Sequence, residues 1–375
     1  MKIGIMSMQR IPNNGSFLQS YSLKRNLELL GNEVEFVDYL PGPVVMKNTQ
    51  KKENRIKTLY QKCKKHFWYP RKDDDRWNRE CNDFRKWEKE YRENMMPVLG
   101  VTQDSTNQTE DLDLLVIGSD EVFNCIQPNP AVGFSKQLFG ADSHAQKVIS
   151  YAASFGNTSL EGLRKYGMDE EVGNLLKKMD AISVRDKNSV QMVQSLTGIQ
   201  PEYHVDPVFL YDYEKETEIS VDKKGYIVVY AYAGRITQKE AKYILKFAKK
   251  YNKEIICLAG AQEYFGTFIK TNPFETLAYV KNADYVITDT FHGTVFSIKY
   301  NKKFATLVRG GEGITYGNSM KLVDLLERFG LKNHIVDCLQ GMENILVAEQ
   351  DYTAVNQEIQ NQKEKSIKYL SSFME

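Results

Sequence analysis

The sequence predicts two doubly wound α/β domains facing a central cleft, with a helical insertion in the first. Three observations predict it. Short Val- and Ile-rich runs recur along the chain and read as buried parallel strands. Helical periodicity lies between them. Two such sets are separated by a polar, acid-rich stretch, Asp206–Lys224, that contains Pro207. A length of 375 residues suits two domains. With 42% apolar and 26% charged residues, the composition excludes a disordered chain, a collagen-like fibre and a small disulfide scaffold.

The first domain is expected over residues 1–210. Its strands are Lys2–Ser7, Val34–Asp38, Asp113–Gly118, Lys147–Tyr151 and Ala181–Val184. Leu18, Tyr21, Leu23, Leu27 and Leu30 share one face of a helix ending near Gly31. The second domain is expected over residues 224–350, with strands Tyr226–Tyr232, Glu254–Ala259, Tyr285–Thr288 and Phe304–Val308. Ile244, Phe247 and Ala248 mark one helix there. Val323, Leu325, Leu326 and Phe329 mark another, ending near Gly330. Residues 351–375 form a last, polar helix, Ala354–Met374, with no strand after it.

Several function classes are set aside by counting. Lys plus Arg is 50 and Asp plus Glu is 49, a net charge of +1, so no nucleic-acid partner is expected. No run approaches the ~20 apolar residues that span a bilayer. The N-terminal apolar run is too short for a signal-peptide core, and a cytoplasmic chain is expected. The five cysteines are odd in number and widely spaced, without C-x-x-C, which reads as reduced thiols. The five histidines are scattered, so no metal is expected.

Ligands of doubly wound sheets sit beyond the carboxyl ends of the strands. The first strand leads into Pro12-Asn13-Asn14-Gly15-Ser16 and a helix carrying Gln19. A helix N-terminus there attracts an anion, or the loop merely caps the helix. The loop is neither G-x-G-x-x-G nor a Walker sequence. The third strand ends in Gly118-Ser119-Asp120. Asp120 would orient a hydroxyl, accept its proton, or serve as an N-cap. Arg185 leaves the strand end Ile182-Ser183-Val184. Its guanidinium fork suits a carboxylate or phosphate, with Asp186 as the local alternative partner.

The sharpest local signal runs from Asp284 to Val295: an apolar strand, then Asp289-Thr290-Phe291-His292-Gly293, then an apolar helix. His292 is thereby placed at a helix N-terminus, where it would bind a phosphate or deliver a proton. Gly293 lets backbone approach a ligand. Arg309 leaves the next strand, followed by Gly310-Gly311-Glu312-Gly313 and then Asn318-Ser319-Met320-Lys321. That glycine-rich loop would close over a ligand or be a plain surface loop.

Taken together, these residues resemble the polysaccharide pyruvyl transferases. The series is Asn13-Asn14-Gly15 with Leu18-Gln19, Leu30-Gly31 leading to Val37-Asp38-Tyr39, Gly118-Ser119-Asp120, Ile149 to Gly156, Ile182 to Asp186, Asp206-Pro207, and Phe291-His292-Gly293 with Phe296-Ser297. Each motif is short; they occur in family order over about residues 1–330. The resemblance implies two Rossmann-like domains in a GT-B-like arrangement. It implies transfer of the enolpyruvyl group of phosphoenolpyruvate onto two hydroxyls of a sugar during bacterial surface polysaccharide assembly. The product is a cyclic pyruvate ketal, phosphate is released, and phosphoenolpyruvate is a co-substrate with no separate cofactor. Arg185 and His292 match the family's functional Arg and His. Arg309 and Lys321 are both candidates for a further basic residue. Asp120 is the candidate acceptor-side base. Asn13, Asn14, Gly15, Gln19, Ser119, Thr290 and Gly293 are candidate substrate contacts, although Asn14 stands where an aromatic is usual.

One segment stands apart in composition. From Lys47 to Arg92 there are 16 Lys and Arg against 8 Asp and Glu, so it carries +8 and the rest of the chain −7. It lies in the insertion, about residues 47–105, and holds all three tryptophans, Trp68, Trp77 and Trp87. Trp77, Cys81, Phe84, Glu88 and Tyr91 fall near helical spacing, with Trp87 beside them. Such a segment suits an anionic membrane surface on the inner face of the cell membrane, or a polyprenyl-pyrophosphate-linked sugar acceptor. It equally suits a helical hairpin whose aromatic stripe packs on the first domain. A GT-B glycosyltransferase using a nucleotide sugar shares the predicted architecture and is the competing function.

Overall fold

The computed structural model describes residues 1–45, 74–102, 106–310 and 319–374. The basic stretch 51–71, Trp68 and the glycine-rich loop at 311–318 lie outside them. Six parallel strands form the first sheet: β1 (Lys2–Met6), β2 (Glu33–Phe36), β3 (Leu114–Asp120), β4 (Lys147–Ala153), β5 (Ser183–Val184) and β6 (Glu202–Tyr203). Their spatial order is β2-β1-β3-β4-β5-β6. Five parallel strands form the second: β7 (Tyr226–Tyr230), β8 (Glu254–Leu258), β9 (Thr267–Phe268), β10 (Tyr285–Thr288) and β11 (Lys303–Thr306), in the order β11-β10-β7-β8-β9. Each predicted strand is found, with ends moved by at most two residues and Tyr285–Thr288 unchanged. The sequence reading missed β6 and β9, two-residue edge strands too short and polar to show an apolar run.

Strand sequences explain the layers. Side chains alternate across a pleated strand. Tyr226, Val228 and Tyr230 of β7 join one apolar cluster, while Ile227 and Val229 join another on the opposite face. Helices cover both faces, as parallel sheets require. The first of these clusters is continuous between the domains, running from Leu18 and Val116 through Tyr213 to Val228 and Phe296. These are two Rossmann-like domains in a GT-B-like pair.

In each sheet the chain reverses its direction of growth once. The first sheet switches between β1 and β3, the second between β7 and β10. Crevices at such points take ligands because the connecting loops diverge there. The loops after β1, β3, β7 and β10 therefore determine the site.

Helices tie the domains together, two of the described ones among them. The helix Asp74–Asn94 belongs by sequence to the first domain, yet its buried side packs largely on the second. The Trp87 indole N–H donates to the Thr271 carbonyl at 2.8 Å. Arg76 donates to the carbonyls of Glu263 and Gly266 at 2.9 and 3.0 Å. Phe84 packs edge-on to Phe268. Tyr91 turns back to the first domain and donates to the Asn13 carbonyl at 3.1 Å. Trp87, which the sequence placed beside the stripe, is central to it, and Glu88 is only half-buried. A helix wheel locates a stripe but not its partner. The final helix, Thr353–Ser371, follows the second domain and crosses back to the first, where the Tyr369 hydroxyl donates to the Ser150 carbonyl at 3.0 Å. No described helix is long and apolar enough to cross a membrane.

Candidate active site between the two switch points

A cavity of about 270 Å³ opens where the two switch points face each other. Asn13 and Ser16 follow β1, Asp120 ends β3 and Glu121 follows it, and Arg185 follows β5. From the second domain, Tyr232 follows β7, while Thr290, Phe291 and His292 follow β10. Lys321 arrives from the helix Ser319–Arg328. Five loops and one helix thus converge on one volume.

The Asn13 side chain caps the helix Asn14–Leu29, accepting from the N–H groups of Gly15 and Ser16 at 2.8 and 3.1 Å. Its amide also reaches the Tyr232 hydroxyl at 3.4 Å. Gly15 leaves room for His292: a Cβ there would stand 2.2 Å from the His292 Nδ1. Thr290 caps the helix Phe291–Lys299 by accepting from the Gly293 N–H at 2.9 Å. Gly293 is required sterically, because a Cβ would meet the Thr288 hydroxyl at 2.2 Å.

Arg185 is buried, with its guanidinium set between two carboxylates. It donates to Asp206 Oδ2 at 2.8 Å and to Asp120 Oδ1 at 3.1 Å. Its guanidinium carbon lies 4.3 Å from the centre of the Phe291 ring, so an arginine of the first domain rests on an aromatic of the second. Lys321 lies 5.7 Å from the same ring centre and pairs with Glu121. His292 Nε2 stands 3.6 Å from Asp206 Oδ2.

Asp120 adopts a left-handed backbone, φ 76°, which is uncommon for any residue but glycine. Its carboxylate accepts from the Ser16 hydroxyl at 2.6 Å. Burial pushes its pKa up, but Arg185, then His292, Ser16 and Lys321, outweigh burial. The group is held well below the usual carboxylate range. Among the described residues, Arg185 Nε and His292 Nε2 are buried without a hydrogen-bond partner. A buried donor left unmade costs about 1–3 kcal/mol. Both atoms belong to residues that line the cavity.

Not every residue singled out in the sequence faces this cavity. Asn14 turns away and donates to the Thr276 hydroxyl at 2.7 Å, joining the domains behind the site. Gln19 is buried beneath the loops; its amide accepts from the Ser119 N–H at 3.1 Å and donates to Ser7 and Ser20. Ser119 donates to the Ala152 carbonyl at 2.7 Å. Gln19 and Ser119 support the loop that carries Asp120. Arg309 is held within the second domain by Glu240 and by Asp289, the latter at 3.2 Å. Conversely, Ser16, Glu121, Tyr232 and Phe291 line the cavity without having been singled out as site residues, and Asp206 lies directly behind it. Adjacency to Asp120 and His292 was the available signal for Glu121 and Phe291. Asp206 stood in the sequence series only as part of Asp206-Pro207.

No curated protein matches the chain. Among solved structures it is similar to the S. aureus MnaA–UDP complex, at 10% identity over 99% of this chain and 97% of that one, with a TM-score of 0.46. It is also similar to UDP-GlcNAc 2-epimerase from Methanocaldococcus jannaschii, at 10% identity over 96% and 99%, TM-score 0.45. A third likeness is to a Thermobaculum terrenum O-GlcNAc transferase mutant, at 13% identity and TM-score 0.40, covering 98% of this chain but 64% of that one. The polysaccharide pyruvyl transferase family model matches residues 13–310, which include Asn13, Ser16, Asp120, Glu121, Arg185, Tyr232, Thr290, Phe291 and His292 of the cavity but not Lys321, and the chain belongs to that family.

Proposed function

We propose that the protein moves the enolpyruvyl group of phosphoenolpyruvate onto two hydroxyls of a sugar, forming a cyclic pyruvate ketal and releasing phosphate. One observation carries this reading within the family: Arg185, His292 and Lys321, from both domains, meet at one small cavity. About 270 Å³ lies just below the usual range for drug-sized ligands, so a three-carbon donor beside the edge of a sugar suits it. Phosphoenolpyruvate presents a carboxylate and a phosphate. Arg185 and Lys321, both against the Phe291 ring, are the cations that would receive them. The helix Phe291–Lys299 adds its positive N-terminal end. Asp120, Asp206 and Glu121 already hold these cations in direction, so the donor meets a preorganised set.

Chemistry follows from that placement. A proton added to the methylene carbon leaves positive character on C2. The first hydroxyl adds to C2, phosphate departs with the C–O electrons, and the second hydroxyl closes the ketal. The two hydroxyl protons replace the one taken up at carbon and the one that leaves with phosphate. His292 is the group assigned to deliver the proton, a role worth about 10²–10⁴-fold. Asp120 is held too acidic to be a good base. We assign it instead to orienting a hydroxyl and offsetting positive charge at C2.

The test is phosphate release from phosphoenolpyruvate with a panel of methyl hexopyranosides as acceptors. Nucleotide sugars are run in parallel. Donor-dependent phosphate release that falls at least about 100-fold in Arg185→Ala and His292→Asn supports the reading. Release of nucleotide from a nucleotide sugar, with no phosphate from phosphoenolpyruvate, would establish glycosyl transfer in its place.

A further inference from the structure

Asp206 lies just beyond β6, where the chain leaves the first sheet for the second, and its two oxygens do different work. Oδ1 accepts from the Val208 N–H at 3.0 Å and caps the short turn Pro207–Phe209 that begins the connector. Oδ2 accepts from Arg185 at 2.8 Å and stands 3.6 Å from His292 Nε2. The side chain is fully buried. Arg185 belongs to the first domain and His292 to the second. One carboxylate, fixed where the chain leaves the first sheet, therefore faces the two groups assigned to the donor, one from each domain.

We propose that Asp206 is a positioning residue: it sets Arg185 and His292 relative to one another, so that the pair forms only with the second domain docked. This rests on the proposed roles of those two residues. A separation of 3.6 Å is too long for a hydrogen bond but short for a charge contact, and catalytic contacts often tighten only around substrate. The charge arithmetic gives the inference a distinctive signature. Removing a negative charge beside two anion-binding groups should, by Coulomb's law alone, tighten donor binding. Removing a positioning group should lower turnover. A residue that merely supports the fold would weaken both together.

Asp206→Asn keeps size and the Oδ1 cap. In phosphate release from phosphoenolpyruvate by the full chain, we expect kcat to fall about 100-fold with donor KM unchanged or lower. In the His292→Asn background the same substitution should cost less than threefold, because residues acting as a unit are not additive. Equal losses in both backgrounds, or a loss confined to KM, would overturn the proposal. A second arm needs no turnover: ¹⁵N-histidine NMR of the ligand-free wild type, with His292 assigned through His292→Asn. The neutral ring should carry its proton on Nε2, facing Asp206. A proton on Nδ1 overturns the proposal, even if Asp206→Asn fails to fold. If wild type releases no phosphate while the NMR result holds, it is the proposed function that fails and not the geometry.

Discussion

Arg185 and Arg309 look alike in the sequence and end in different places. Each follows a buried parallel strand at its carboxyl end, one per domain. Arg185 reaches the cavity between the domains, where Asp120 and Asp206 hold it. Arg309 is held by Glu240, near the start of the helix Gln238–Lys250, and by Asp289. Glu240 also completes a capping box with Thr237, so it is fixed before Arg309 meets it. The difference teaches that a strand end brings a cation to the right rim, while carboxylates from other loops decide which way it points.

The largest effect is expected at Arg185. Arg185→Ala strands the buried Asp206 and the partly buried Asp120, which should cost about 3–5 kcal/mol of stability in urea unfolding. Donor-dependent phosphate release should drop at least about 100-fold. If Arg185→Ala unfolds no more easily than wild type, its ion pairs are not the frame described.

Gly15→Ala sharpens the comparison from the other side of the cavity. The new Cβ would displace the His292 ring, and a shift of about 1 Å there should lower turnover about 100-fold. Stability should fall by only about 1–3 kcal/mol. Turnover like wild type would show that His292 need not stay where it stands.

Arg309→Ala should behave as a fold variant only. Losing its charged hydrogen bonds should cost about 1.5–3 kcal/mol. Donor KM for the molecules that remain folded should be unchanged. A tenfold rise in that KM would erase the contrast with Arg185.

The smallest effect concerns acid. Asp120 holds its proton less readily folded than unfolded, since its folded pKa is lowered. Its stabilisation is complete above the unfolded value, near about 4, and fades as pH falls below that. Asp120→Asn should therefore flatten the loss of stability below about pH 4. An unchanged acid limb would count against the pairing with Arg185.

Much of this was legible along the chain, for reasons of chemistry that are local. Apolar runs and helical periods marked nine strands and the main helices, because burial on both faces leaves a continuous signal. Asp120, Arg185 and His292 were found because a strand's carboxyl end is a position that sequence can locate. Asn14 and Gln19 show where that logic stops. Both sit in the first turns of the helix that follows the right loop, yet one joins the domains and the other supports Ser119. Neighbouring residues on a helix diverge by roughly 100°, so a loop position does not say which side chain faces the ligand.

The sequence by itself determined the two parallel sheets and the strand ends that carry charge. It did so because hydrophobic period and turn residues act over a few positions. Only the tertiary structure decided that Lys321 rather than Arg309 lines the cavity, and that the helix Asp74–Asn94 packs chiefly on the second domain. It also brought Asp206 between Arg185 and His292. Those outcomes depend on contacts between residues 21 to 200 positions apart, such as Arg185 with Asp206 and Lys321 with Glu121. No local pattern encodes a partner at that distance.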